Sequence, residues 1–427
     1  MIAVREPGVE LRDPVRVQVA RQIAHWGAAT VALDNPEDFA SATAWGGLER
    51  YLDLAVRRRL KESVTQLRRE SEVLAAELGA ARTPEDLERL RRRVVAFRRR
   101  FTQVETLVDF FGDAVNSRTS PRLAAILRAL DLLAESAMQG VLGPLGHPTP
   151  PVLTYVDKGM GASILRAGLR LWDRGSPSPV AAIKVTRHNL YRPTALLHEA
   201  GHQIAGALGW NDELARALAV ALRTDPALAS AWSSWSSEVA ADAIGFCYGG
   251  YASVATLHDV LSGEDGYVFR DTRGDPHPVP WIRVLLGVEM CVRLYGAGPW
   301  NDLAAAWTRA HPLAKAPPGL RRILAASVPA LPAIAGTCLQ QRMDAFRGHP
   351  LTRLVDPRRV APAALAALLR ERGEALLTSH HLLRQEGLRL MALSGYLAAT
   401  RPGHARQVAT QYERWVLRLG SAVPRAA

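Results

Sequence analysis

Residues 197–202 read LHEAGH, and they lie inside an apolar run that is typical of a buried helix. Residues four apart lie on one face of a helix, so His198 and His202 can offer both imidazoles to one cation. Two such nitrogens suit Zn²⁺ at about 2.0–2.1 Å. Glu199 is turned by about 100° around the helix axis, so it misses the metal but can reach a water beside it. That is the position that a general base needs.

The residues before this helix predict a small sheet. Val152–Val156 reads as a strand, residues 162–171 read as a helix, and residues 180–186 read as a second strand. In the second strand Ile183 and Val185 alternate with polar residues, which is typical of a half-buried strand. An extended peptide can add to the free edge of such a strand by main-chain hydrogen bonds.

A third metal ligand has to come from elsewhere in the chain, because catalytic zinc takes three protein ligands and keeps one place for water. The metzincin pattern, which has its third ligand six residues after the second histidine, is absent, since Leu208 stands there. Glu238 is the best candidate, because small residues at 240, 241 and 243 would let its helix approach another closely. Asp242 follows on the same face, where a carboxylate can accept the second ring N–H of a ligand histidine. The alternative is an exposed acidic helix face.

These motifs, HEAGH followed by EVAAD, resemble the gluzincin zinc metallopeptidases. Downstream, His277 between two prolines and then Arg283 resemble the H-P…R element of the CAAX prenyl endopeptidase family within that group. The resemblance covers roughly residues 152–295. It implies that His198, His202 and Glu238 bind zinc and that Glu199 is the general base. It further implies that Asp242 orients a ligand, that His277 stabilises the oxyanion, and that Arg283 supports it.

One departure from that family concerns the membrane. Family members usually carry membrane helices near the metal motif, and this sequence predicts none there. The longest weakly charged run, residues 323–341, is Ala-rich and contains Pro329 and Pro332, so we expect a buried helix or loop pair. The first residues lack a signal peptide pattern. A soluble, cytoplasmic offshoot of the family is therefore expected.

Composition bounds the remaining function classes. The chain has 427 residues, of which 48% are hydrophobic and 22% charged, and a formal net charge of +12. Three distant cysteines match no disulfide framework, so they are expected to be reduced thiols. Arginine clusters account for most of the charge, but aromatic residues do not interleave them, so no nucleic-acid partner is expected.

The fold expected is mainly α with a small β-sheet, an α+β arrangement in which helical regions flank a zincin-like metallopeptidase core. We expect a helical N-terminal region over residues 1–145, with an antiparallel helical hairpin at about 52–115. The core is expected over residues 146–310, after the Pro- and Gly-rich linker of residues 143–151, and a helical C-terminal region over 311–427.

The function predicted is zinc-dependent hydrolysis of a peptide bond in a protein or peptide substrate, with Glu199 as general base. One alternative is a regulatory protease of the ImmA/IrrE type, which acts on one partner protein. The other is a non-catalytic helical scaffold with a vestigial metal site. The N-terminal hairpin is a possible surface for a protein partner in each case.

Overall fold

The computed structural model describes residues 13–52, 54–159, 163–165, 178, 180–190, 192–272 and 274–421. The chain divides into two compact units. The first comprises Met1–Thr119 with Gly168–Pro179, and the second comprises Ser120–Ala167 with Val180–Ala427.

The first unit is helical throughout its elements: α1 (Pro14–Ala32), α2 (Ala42–Leu52), α3 (Ala55–Ala80) and α4 (Pro84–Asn116). The hairpin predicted for residues 52–115 is present as α3 and α4. Apolar residues three, four and seven positions apart bury one face of each helix. Thr83 and Asp86 form a capping box at the start of α4, with Pro84 in its first turn, so the turn between the two helices is fixed by local hydrogen bonds.

The second unit contains the remaining helices around one continuous apolar core. In chain order they are α5 (Pro121–Leu142), α6 (Ala195–Ala207), α7 (Trp210–Ala221), α8 (Pro226–Ser234), α9 (Ser236–Gly249), α10 (Tyr251–Leu261), α11 (Asp265–Val268), α12 (Pro280–Tyr295), α13 (Pro299–Ala310), α14 (Pro318–Gln340), α15 (Leu351–Leu354), α16 (Pro362–Arg372), α17 (Ala375–Thr378), α18 (His380–Thr400) and α19 (Ala405–Ser421).

The sheet has three strands in the order β1, β3, β2: β1 is Val152–Val156, β2 is Ser163–Leu165 and β3 is Ala181–Val185. Strand β3 runs parallel to β1 and antiparallel to β2. Two expectations are corrected here. Residues 163–165 form a strand where a helix was predicted, because they pair with β3, and the rest of that predicted helix lies outside the described residues. The strand before the metal motif has no free edge, because β3 is paired on both sides.

The mainly α character with a small sheet is confirmed, but the division of the chain differs from the predicted one. Helix α5 belongs to the second unit, because it packs against α6, α19 and β1. The unit boundary therefore falls at residue 119 and not near 145. The helices after residue 311 share the core of the second unit, so they do not form a separate region.

Helix α14 is long and apolar enough to cross a membrane by length and composition. It is one continuous helix that contains Pro329 and Pro332. Of the two arrangements expected, a buried helix or a loop pair, the helix is the one present. The side formed by Leu324, Leu331 and Ile334 is buried, and the helix packs against α12, α7 and α8. A single helix of this kind is found both in membrane spans and in protein cores.

Candidate metal centre

Helices α6 and α9 approach each other closely where the candidate ligands lie. A Cβ added to Gly201 of α6 would meet the carbonyl oxygen of Ala241 at 2.8 Å, and one added to Gly245 of α9 would meet the backbone of His198 at 3.3 Å. Only glycine fits such a backbone approach at position 201. The predicted close packing through small residues is therefore present.

This packing brings together three residues that could hold a metal ion, namely His198, His202 and Glu238. Their potential ligand atoms all lie within 4.8 Å of one another. Both Nε2 atoms face the Glu238 carboxylate, at 3.4 Å for His198 and 3.2 Å for His202. The ring centroids of the two histidines are 4.6 Å apart. The predicted ligand set thus converges across a sequence gap that only tertiary packing closes.

Asp242 and Arg283 lie behind this trio. Asp242 Oδ1 is 2.8 Å from His198 Nδ1, and the two side chains form an ion pair when the imidazole is protonated. Arg283 donates two hydrogen bonds to Asp242, of 2.6 and 2.9 Å, and one of 3.0 Å to Glu238. Its side chain is only 5% exposed. Asp242 therefore contacts the candidate ligand His198, and Arg283 contacts the candidate ligand Glu238.

Glu199 lies beside the trio without belonging to it. It is buried on α6, one residue after His198. Burial raises the pKa of the Glu199 carboxyl, and the neighbouring His198 and His202 act in the opposite direction. A carboxylate with a raised pKa is a stronger base than an ordinary one, which suits a group that accepts and returns a proton.

The charges of the cluster depend on one another. Burial works against the imidazolium of His198, but Asp242 and Glu238 outweigh burial and raise the pKa of His198 to about 10. Burial also works against the charged form of Asp242, but Arg283 and His198 outweigh it and lower the pKa of Asp242 to about 2. For Glu238, burial is likewise outweighed, here by the two histidines and Arg283, and its pKa lies well below the ordinary range. A proton and a cation therefore compete for the same imidazole and carboxylate groups.

His277 reaches the same carboxylate from the solvent side. Its Nε2 lies 3.5 Å from Glu238 Oε1, and its side chain is 48% exposed. Its Nδ1 contacts Asp275, which also accepts a hydrogen bond from the His277 backbone N–H. Asp275 was not assigned a role from the sequence, although an acid two residues before a histidine is a weak signal for such an orienting contact.

Three tyrosines near the metal motifs in sequence could donate a hydrogen bond to a reaction intermediate, but each makes another contact. Tyr248 donates its hydroxyl hydrogen to the carbonyl oxygen of Ala137, and Tyr251 packs against Trp300. Tyr267 lies under the guanidinium of Arg270. Sequence reasoning missed Tyr155 at the end of β1, whose pKa is raised to about 12 by burial first and then by Asp157 and Glu199. The electrostatic influence of Glu199 on Tyr155 depends on tertiary packing and could not be read from the motif.

The donor set suits a divalent cation. Glu199, Glu238 and Asp242 carry three negative charges and Arg283 carries one positive charge. With both imidazoles neutral the cluster therefore has a net charge of −2, which a divalent ion balances. Two imidazole nitrogens with one carboxylate oxygen is a set that zinc takes in catalytic sites.

The comparisons with known proteins identify no relative. No protein-family model, no curated protein and no solved structure matches the chain.

Proposed function

We propose that this protein is a zinc-dependent peptidase with a zincin-like core, similar in its motifs to a soluble, cytoplasmic gluzincin. The observation that supports this most directly is the convergence of His198, His202 and Glu238, with the buried carboxylate of Glu199 beside them. A site kept only for structure needs the three ligands but has no use for the additional carboxylate of Glu199. The position of Glu199 therefore favours hydrolysis over the scaffold alternative.

His198, His202 and Glu238 would hold the zinc ion. When bound, zinc lowers the pKa of a water molecule toward roughly 7 and polarises the carbonyl to be attacked. Glu199 accepts the proton from the attacking water and later gives it to the leaving amine nitrogen, so its raised pKa assists both transfers. The peptide bond breaks to a carboxylic acid and an amine, and Glu199 returns to its starting state.

Three further side chains would prepare the site. Asp242 holds the imidazole of His198 from its far side. Arg283 neutralises Asp242 and Glu238 in a buried place where two carboxylates would otherwise repel. His277, oriented by Asp275 and half exposed, would donate a hydrogen bond to the carbonyl oxygen as it becomes negative. The substrate is proposed to be a protein or peptide.

The test combines metal analysis with peptide cleavage. Purified wild type, Glu238→Ala and Glu199→Gln proteins are analysed for bound metal, and each is then incubated with a mixed peptide library. We expect zinc near one equivalent in wild type and Glu199→Gln, and much less in Glu238→Ala. We expect cleavage by wild type that falls by roughly 10²- to 10⁴-fold in Glu199→Gln.

Two results would contradict the proposal. The first is that the wild-type protein binds no metal, which would contradict the assignment of the ligands. The second is that Glu199→Gln cleaves peptides as fast as wild type, which would contradict the assignment of Glu199 as the general base. Zinc binding without cleavage of any library peptide would instead favour the alternative of a protease dedicated to one partner protein, and the same comparison would then be repeated with proteins captured by Glu199→Gln.

A further inference from the structure

A cleft of about 410 Å³ lies within the first unit, between α1 and α4. Its size falls in the range of small-molecule sites. We call it the α1–α4 cleft, and the residues that matter for its chemistry are Arg21, His25 and Trp26 from α1 and Val94, Val95 and Arg98 from α4. Nothing in the proposed peptidase chemistry uses these residues.

Trp26 provides the cleft with an aromatic surface. Among the tryptophans in the part of the chain that the structure describes, the other eight are buried, and Trp26 alone keeps part of its ring exposed. The indole is held in place from below by Phe101, with ring centroids 5.1 Å apart, and at its side by His25 at 4.8 Å. A partly exposed indole fixed by its neighbours is a platform on which a planar ring can stack.

Arg21 and Arg98 provide the cleft with positive charge from opposite helices. Within the described residues neither guanidinium has a hydrogen bond or an ion pair, and both side chains are exposed. Neighbouring arginines of α4 differ in this respect, since Arg93 pairs with Glu77 and Arg100 pairs with Glu70. The guanidinium groups of Arg21 and Arg98 are therefore available to a ligand in the α1–α4 cleft.

No carboxylate of α1 or of the adjacent part of α4 competes for these guanidinium groups. Residues 14–33 contain no Asp or Glu, and neither do residues 89–104. On α3, which packs against both helices, Glu70 and Glu77 pair with Arg100 and Arg93. Two guanidinium groups that are not paired to an acid suit a phosphate, to which arginine can donate two parallel hydrogen bonds.

We propose that the α1–α4 cleft binds a nucleotide, whose base stacks on Trp26 and whose phosphates are held by Arg21 and Arg98. Val94 and Val95 form the apolar wall against which the base or sugar packs. A bare anion would leave the indole unused, and an apolar ligand would leave two unpaired guanidinium groups beside it. The same chemistry occurs in a free nucleotide and in single-stranded nucleic acid, and the volume of the cleft favours the free nucleotide.

The test is calorimetric titration of the full-length protein with ADP at physiological salt, in buffer without added divalent cations so that metal-bridged phosphate contributes nothing. We expect a micromolar Kd, with much weaker binding of adenosine and of inorganic phosphate alone. Arg21→Gln and Arg98→Gln should each weaken ADP binding by roughly tenfold or more, since hydrogen bonds to charged groups are the strong ones. Both arginines are exposed, so neither change should disturb folding.

Arg99→Gln is the matched control, because Arg99 is exposed on the same helix and outside the cleft, and it should leave ADP binding within a factor of two. Equal losses in Arg99→Gln and Arg98→Gln would overturn the proposal, since binding would then be general electrostatic attraction. Inorganic phosphate that binds as tightly as ADP would overturn the stacking role of Trp26, and Trp26→Leu with unchanged ADP affinity would do the same. A short single-stranded oligonucleotide that binds far more tightly than ADP would overturn the choice of a free nucleotide.

Discussion

The carboxylates of Asp242 and Glu238 lie on opposite sides of the His198 imidazole. Asp242 therefore affects which ring nitrogen of His198 faces the candidate metal. Nε2 faces Glu238 at 3.4 Å, and Nδ1 faces Asp242 at 2.8 Å. With a carboxylate at Nδ1, the proton of a neutral imidazole stays on that nitrogen and Nε2 keeps its lone pair for a cation. Asp242 would therefore act on a bound cation through the histidine.

Asp242→Asn should weaken zinc binding by roughly 10- to 100-fold, which is the usual cost of removing the carboxylate behind a ligand histidine. The measurement is a competition titration against a chromophoric chelator, with circular dichroism to check folding. Asp259→Asn serves as control, because Asp259 is a carboxylate paired to Arg192 and outside the candidate ligand set. Equal zinc affinity in Asp242→Asn and wild type would show that the histidine needs no orienting carboxylate.

A second carboxylate, Asp265, should make the stability of the protein depend on pH. Hydrogen bonds from Lys315 and from His311, each of 2.7 Å, lower the pKa of Asp265. Because the folded pKa lies below the unfolded value of about 3.9, this contribution to stability is present above that pH and is lost as the pH falls through the lowered pKa. Asp265→Asn should therefore unfold at lower urea concentration than wild type at neutral pH, and the difference should shrink in acid.

The control for that comparison is Asp271→Asn, because Asp271 is exposed and has no ion-pair partner among the described residues. Its unfolding midpoint should follow wild type at every pH. A difference between Asp265→Asn and wild type that persists unchanged in acid would mean that the charge of Asp265 is not the stabilising feature.

At the scale of elements, the close approach of α6 and α9 makes the candidate site possible. The HEAGH motif could be located from sequence because residues four apart on a helix share a face whatever surrounds them. The position of Glu238 depends on how two helices pack, and the sequence indicated it only through the small residues near it. Arg283, which donates hydrogen bonds to Asp242 and Glu238, lies on a third helix, α12. Its role was expected only from the family resemblance.

Gly201→Ala tests this packing directly. The added methyl group would lie 2.8 Å from the carbonyl oxygen of Ala241, so the helices must separate. We expect a loss of roughly 1–3 kcal/mol in the free energy of unfolding, as for other overpacked sites, together with weaker zinc binding. Urea unfolding and zinc titration measure the two effects.

Gly319→Ala on α14 is the control, because nothing lies within 4 Å of its added Cβ, and it should be neutral or slightly stabilising. Normal zinc affinity in a folded Gly201→Ala protein would contradict the packing argument.

Two elements differ from what their local sequence patterns favour, and in each the cause is a contact with residues distant in the chain. Residues 163–165 have an apolar pattern too short to separate strand from helix, and pairing with β3 decides it. Helix α14 continues through Pro329 and Pro332, where prolines favour a break, because its buried side packs against three neighbouring helices. In both cases tertiary contacts outweigh local preference.

At the scale of the whole molecule, the two units have different chemical characters. The first unit is a set of helices whose periodicity and capping signals are local, so its hairpin could be predicted from the sequence. The second unit gathers α5 and the C-terminal helices around the same core as the metal motifs, and no local signal marks such long-range packing. The linker-like composition of residues 143–151 reflects a turn between α5 and β1 inside one unit, which is why the predicted boundary near 145 was wrong.

This division leads to a prediction about where zinc stabilises the chain. A ligand that binds only the folded state stabilises it by about 2.7 kcal/mol at a concentration one hundred times its Kd. All three candidate ligands lie on α6 and α9 of the second unit, so amide hydrogen exchange should slow there on addition of zinc. The helices of the first unit hold none of these ligands, and we expect their exchange to stay the same. Glu238→Ala should abolish the zinc effect on α6 and α9, whereas slowing that survives in this variant, or that appears mainly in α1 to α4, would mean that zinc binds elsewhere.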